Sequence, residues 1–167
     1  KFTLPKETIL LNLYQITDEL LLGSNLKKYE VSNYALKGAE CIHNLDVWKG
    51  GEYCGIGPGA HGRVIVNKRW YATQKFSSPK IWLQKSLEKN LTLYKNDKIS
   101  EHERAQEILL TGLRLYNGIN IQVLLKKLKL TSENEIIDIV ELKKFKKLGL
   151  IDINKSIIKI TKQGFPV

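Results

Sequence analysis

The sequence predicts a mixed α/β (α+β) chain in which helices and short strands alternate and the last third holds three helices followed by a β-hairpin. Two kinds of signal carry this. Apolar residues return at helical spacing in several separate stretches, and β-branched residues gather on either side of two-residue turns. With 167 residues, 43% of them apolar, the chain is long enough to bury a core.

The elements follow in order. Within 5–22, apolar side chains at 9, 10, 13, 16, 20 and 21 mark a helix. Thr3 is expected to cap its front, Pro5 suits the first turn, and Gly23 is placed to stop it. A short strand is expected around Tyr29, Glu30, Val31 and Ser32. Residues 33–50 read as a long polar connection, of the kind that is functional or disordered inside a compact domain. Their aromatic and glycine content argues against disorder. After a glycine-rich stretch, RVIV (63–66) and RWYA (69–72) flank Asn67-Lys68 as two strand segments about a tight turn. Ser78 and Pro79 open a second helix, expected to run to about Tyr94.

Residues 95–99 read as a polar break, which divides the chain into domains at 1–97 and 98–167. Ser100 and Glu103 form a capping box that starts a helix stopped near Gly118. A short helix is expected over 121–129 and a third over 134–148, ended by Gly149. The tail alternates about Asn154-Lys155 as a hairpin. Three helices and then a hairpin is the order of a winged-helix domain, and that order does not fix a function.

Composition narrows the setting. No apolar run approaches the roughly 18 residues that span a bilayer. The start KFTLPKETILLNLY lacks a signal-peptide layout, so a cytoplasmic location is expected. Cys41 and Cys54 make neither a disulfide framework nor a metal spacing. Methionine is absent even at position 1, and the chain is expected to be part of a longer protein. The net charge of +10 is spread out: 1–100 hold 15 Lys+Arg against 9 Asp+Glu, and 101–167 hold 12 against 8. Such a distribution suits a solvated surface better than a nucleic-acid footprint.

The stretch GIGPGAHG (55–62) contains a literal G-x-G-x-x-G. A dinucleotide loop would need a helix after it and an acidic residue about 20 positions on. Here a β-branched, extended run follows, Pro58 removes an amide, and Trp82 stands twenty positions past Gly62. The dinucleotide reading fails. Two readings remain: close backbone approach to a ligand, or a tight turn packed against a neighbouring helix. Upstream, residues 29–53 combine Tyr29, Tyr34, Trp48 and Tyr53 with Asn33, Asn44, Cys41 and His43. Aromatic rings with an imidazole suit a flat, apolar ligand, and His43 is able to ligate iron. An isolated loop histidine also occurs without any ligand.

The run Y-E-V-S-N-Y-A…G-A-E-C-I-H-N…W, then Y-C-G-I-G-P-G-A-H-G-R, closely resembles radical S-adenosylmethionine proteins related to oxygen-independent coproporphyrinogen III oxidase. Within that family it looks most like the haem-chaperone (HemW) branch. E-I-L-L-T-G-L-R-L…G-I, K-K-L-G-L-I and I-T-K-Q-G extend the resemblance over nearly the whole chain. The resemblance implies the end of a partial (β/α) radical SAM barrel over 1–97 and a winged-helix-like domain after it. It implies that Gly55, Gly57, Gly59, Ala60 and His61 line the face toward S-adenosylmethionine or a second ligand. The branch's H-N-x-x-Y-W signature falls on His43, Asn44 and Trp48, with Val47 where the tyrosine would stand. His43, Asn44 and Trp48 are thereby haem candidates, with His43 on the iron.

Radical chemistry in the family needs a C-x-x-x-C-x-x-C set for a [4Fe–4S] cluster. Cys41 and Cys54, 13 positions apart, are not that set, so no catalytic residue is expected here and no radical activity from this chain alone. The resemblance implies the C-terminal portion of a haem chaperone that binds haem, or a related porphyrin, and passes it to an acceptor protein. The related alternative is coproporphyrinogen III oxidation. The alternative of another class is a winged-helix nucleic-acid module using Lys143, Lys144, Lys146 and Lys147, disfavoured by the acidic residues at 133, 135, 138 and 141.

Overall fold

A computed structural model describes residues 3–88 and 92–165. Helix α1 (Glu7–Gly23) starts after Lys6, whose extended backbone takes the cap position without a side-chain cap bond. The expected cap, Thr3, lies too far upstream to reach the first amides. The helix ends at Gly23 as read, and none of its residues is buried.

Strands β1 (Lys27–Glu30) and β2 (Asn33–Ala35) form a tight antiparallel hairpin, and α2 (Ile42–Trp48) follows. The long polar connection expected over 33–50 is therefore a strand and a two-turn helix. Both are too short for periodicity to reveal. Next comes an antiparallel sheet in the order β3 (His61–Val66), β4 (Arg69–Lys75), β5 (Leu93–Ile99). Asn67 and Lys68 both take positive φ, the twist that a two-residue hairpin turn requires. Helix α3 (Pro79–Leu87) is capped by the Ser78 hydroxyl, which accepts from the Ile81 amide. The helix expected to reach Tyr94 stops earlier; residues 89–91 of that expectation lie outside the described residues.

The polar break expected at 95–99 is strand β5. Almost every side chain on it is exposed, so hydropathy gives no alternation, and main-chain pairing to β4 holds it. Lysines on an edge strand of this kind oppose further pairing. Ser100 alone separates β5 from helix α4 (Glu101–Gly112), whose capping box is present as read: the Ser100 hydroxyl accepts from the Glu103 amide, and Glu103 accepts from the Ser100 amide. The helix ends at Gly112, six residues before the expected stop.

Strand β6 (Ile119–Asn120), α5 (Ile121–Leu128), a 3-10 turn (Glu133–Glu135), α6 (Ile139–Lys147), β7 (Ile151–Asn154) and β8 (Ile157–Ile160) complete the chain, with a second three-stranded sheet in the order β6-β8-β7. The third helix is shorter than 134–148 because Asp138 caps the amides of Val140 and Glu141, while Ile136 is drawn into the core. The closing turn is Lys155-Ser156, one position later than expected, since Asn154 pairs with Ile157. Ile121, Leu124, Leu125 and Leu128 on α5 make one apolar face and pack with Ala105, Ile108, Ile136, Ile158 and Trp70 of β4. The mixed α+β class stands, with every described strand pair antiparallel.

Candidate functional site

Helix α2 carries three of the residues singled out by sequence, and two of them are fixed from outside. Asn44 donates its side-chain amide to the Tyr29 hydroxyl at 3.4 Å. The Arg114 guanidinium lies 4.6 Å from the centre of the Trp48 ring. His43, in the first turn, is exposed and makes no hydrogen bond among the described residues. Val47 and Trp48 face a depression of about 230 Å³ shared with Tyr53 and Arg63.

What holds this helix begins with Glu30, whose side chain is fully buried. Its carboxylate accepts from the Ser32 amide at 2.8 Å, from the Asn33 side chain, and from Arg114 Nη2 at 3.2 Å. Main-chain bonds reinforce the contact: Val31 N–H to the Arg114 carbonyl at 3.1 Å, and Tyr116 N–H to the Tyr29 carbonyl at 3.0 Å. Arg114, 84 positions from Glu30 in sequence, thus joins β1 to Trp48.

A second fixture lies behind α2. Arg63 of β3 grips Glu107 through Nε at 2.9 Å and Nη2 at 2.6 Å. Arg104 reaches the same carboxylate at 3.0 Å, donates to the Gly51 carbonyl at 3.1 Å, and lies 4.5 Å from the centre of the Trp70 ring. Burial works against charge on Glu107, yet the two guanidiniums outweigh it and hold its pKa below the ordinary value. Burial pushes Arg104 down, while the bond to Glu107 raises Arg63. Lys127 adds a bond from Nζ to the Gly50 carbonyl at 2.8 Å.

The glycine-rich turn has its own geometry. Gly57 and Gly59 take φ of 102° and 71°, the left-handed region. A Cβ on Gly55 would lie 2.4 Å from the His61 carbonyl oxygen, and one on Gly62 2.9 Å from that of Tyr53. The turn packs on the end of its own sheet rather than on a helix: Gly59 N–H donates to Phe76 and Lys75 N–H to Ala60. Chain geometry alone therefore explains these glycines. His61 is exposed at the head of β3. Five cavities of about 190 to 440 Å³ among the described residues are lined by none of His43, Asn44, Gly55, Gly57, Gly59, Ala60 or His61.

A cavity with five aromatic residues in its walls lies elsewhere, between α1, the β1–β2 hairpin and the C-terminal tail, with a volume of about 430 Å³. Lys28 sits in its wall, 2.7 Å from Asp18 and 3.8 Å from the centre of the Tyr14 ring, and Tyr34 donates its hydroxyl to Asp18. Burial opposes both charges, but the hydrogen bonds prevail: Asp18 is held below and Lys28 above its ordinary pKa. Neither Asp18 nor Lys28 stands out in the sequence.

Among the described residues no group of three His, Cys, Asp or Glu side chains gathers as for a metal ion, and Cys41 and Cys54 are both free and exposed. Two thiols so placed do not fit a three-thiolate [4Fe–4S] site. No helix of the described residues is long and apolar enough to cross a membrane.

Residues 99–167 match the HemN C-terminal domain family. Over 66 residues, 40% of this chain, the sequence is 42% identical to the "Heme chaperone HemW" of Mycobacterium tuberculosis. The chain belongs to the HemW/HemN-like radical SAM family. A further member, "Radical S-adenosyl methionine domain-containing protein 1, mitochondrial" of Danio rerio, is 30% identical over 127 residues, 73% of this HemW/HemN-like chain. The chain spans 17% and 28% of the lengths of these two relatives. Its fold matches the coproporphyrinogen III oxidase HemN of Escherichia coli with a TM-score of 0.73 at 15% identity, over 97% of this chain and 39% of that one.

Proposed function

We propose that this chain supplies the haem-contacting segment of a cytoplasmic haem chaperone, which binds haem and passes it to an acceptor protein. The observation that carries the reading is the contrast within α2. Asn44 and Trp48 are tied down by Tyr29 and Arg114, whereas the His43 imidazole is exposed and unbonded among the described residues. A histidine on a braced helix, with a ring nitrogen free, is suited to ligate iron. Relatives bearing the name haem chaperone support the same reading. Ala60, His61 and the neighbouring glycines are assigned in this proposal to the face toward S-adenosylmethionine or a second ligand on the family resemblance, since chain geometry by itself accounts for the glycines. When bound in the longer family proteins, the cluster and S-adenosylmethionine would supply radical chemistry; the residues present here do not hold that cluster.

Haemin titration of the chain followed by the Soret band tests the haem assignment. Saturation near one equivalent is expected, with loss of the ligated spectrum in His43→Ala and its retention in His61→Ala. A ligated spectrum unchanged in His43→Ala, or lost only in His61→Ala, would overturn it.

A further inference from the structure

We propose that the cleft between α6 and the β7–β8 hairpin docks an extended acidic segment of another protein, added as a further strand beside β7. The sheet order β6-β8-β7 leaves β7 with a strand on one side only. Such an edge offers main-chain groups to another polypeptide unless charged side chains or proline oppose the pairing. Strand β5, an edge of the other three-stranded sheet, is protected in this way by Lys95 and Lys98. Strand β7 reads Ile151-Asp152-Ile153-Asn154, with neither lysine nor proline, and its one charge is matched by Lys159 at 3.5 Å.

The cleft that takes in Ile151 and Asp152 of β7 has a volume of about 440 Å³ and a mixed wall. Ile151, Ile160 and Tyr116 supply apolar surface; Tyr116 is 51% exposed, with its ring stacked on that of Phe165. Lys146 of α6, Lys159 of β8 and Lys162 just beyond it set three positive charges against the single acid Asp152. Lys146 and Lys162 are exposed and make no ion pair among the described residues, so two cations remain for a ligand. Charge therefore selects an acidic partner. The edge strand selects a polypeptide, since only another main chain continues the ladder of hydrogen bonds. Lysine without arginine in the wall also speaks against bidentate capture of phosphate groups.

This docking does not depend on the haem assignment, and the whole chain serves for its test. The probe is a short fluorescein-labelled peptide that alternates glutamate and valine, followed by fluorescence anisotropy. Saturable binding that weakens with added salt is expected. Lys146→Glu and Lys162→Glu should each weaken it about fivefold, and His43→Ala should leave it unchanged. Both lysines are exposed, so each variant should keep the circular dichroism spectrum of the parent chain. The same peptide methylated on its main-chain nitrogens keeps its charge but cannot donate to a strand edge. It should bind at least about tenfold more weakly. Amide hydrogen exchange over Ile151–Asn154 should slow when the unmodified peptide is bound. Equal affinity for the two peptides would overturn the strand addition, and unaltered affinity in both lysine variants would overturn the cleft. So would the absence of saturable binding, or saturable binding of anionic phospholipid vesicles or duplex DNA with none of the peptide.

Discussion

Replacing Arg114 by alanine should destabilise the chain far more than a half-exposed arginine ordinarily would. Arg114 is 38% exposed, but the Glu30 carboxylate it meets at 3.2 Å is 0% exposed. Removing one partner of a fully buried ion pair costs about 3–5 kcal/mol. Two features lower that figure: the arginine is partly solvated, and Glu30 keeps its bonds from Ser32 and Asn33. Loss of the contact with the Trp48 ring adds about 0.5–1 kcal/mol. The expected cost is therefore about 2–4 kcal/mol, or roughly 5–15 °C in thermal midpoint for a chain of this size. Urea unfolding followed by circular dichroism measures it. A double-mutant cycle with Glu30→Gln should return a coupling of at least about 1 kcal/mol. A cost of Arg114→Ala within about 0.5 kcal/mol, or additive single effects, would refute the role of this pair in bracing α2.

Three further substitutions test other contacts. At Gly118, φ is +70° and an added Cβ would lie 2.2 Å from the Ile158 carbonyl oxygen, so Gly118→Ala should cost at least about 2 kcal/mol in urea unfolding. At Gly23 no atom lies within 4 Å of the added Cβ and φ is not positive, so Gly23→Ala should be neutral or stabilising. Equal effects at the two glycines would contradict the geometry. Asp18 has its pKa lowered in the fold, so its contribution to stability is present above the ordinary aspartate value and is lost as pH falls through the folded one. Lys28 is raised, so its contribution is present below the ordinary lysine value and is lost as pH rises through the folded one. Urea midpoints of Asp18→Asn should accordingly decline less than those of the parent chain between pH 5 and pH 2, and identical acid slopes would count against the Asp18–Lys28 pair.

Where one face of an element is buried and its end is chemically marked, the sequence could be read directly. Helix α5 shows its core face at 121, 124, 125 and 128, and α4 shows its start in Ser100 and Glu103. The β3–β4 hairpin was legible from β-branched residues on either side of Asn67-Lys68. Strand β5 was not, because an edge strand with solvent on both faces needs no alternation. Nor was α2, whose seven residues bury nothing completely. Of the candidate site, His43, Asn44 and Trp48 came from a local pattern and do share one helix. Their supports did not, since Glu30 and Arg114 are 84 positions apart and Arg63 and Glu107 are 44 apart. Nothing in local spacing signals such pairs. The cavity at α1 was hidden for the same reason, its walls being drawn from separate stretches between Tyr14 and Phe165.

The single residue between β5 and α4 has a mechanical meaning. Ser100 spends both its hydroxyl and its amide on the capping box with Glu103, so the joint has no slack. Arg104, one turn along, is clasped through Glu107 to Arg63 in the same sheet and rests against Trp70. A displacement of α4 would therefore be passed to the β3–β4–β5 sheet through these contacts. Through Arg104 and the Gly51 carbonyl it would also reach the strand of chain that leaves α2. The helix and the sheet are thus joined twice, by the Ser100 cap and by the Arg63–Glu107–Arg104 cluster beside Trp70, so a change at either joint is felt at the other.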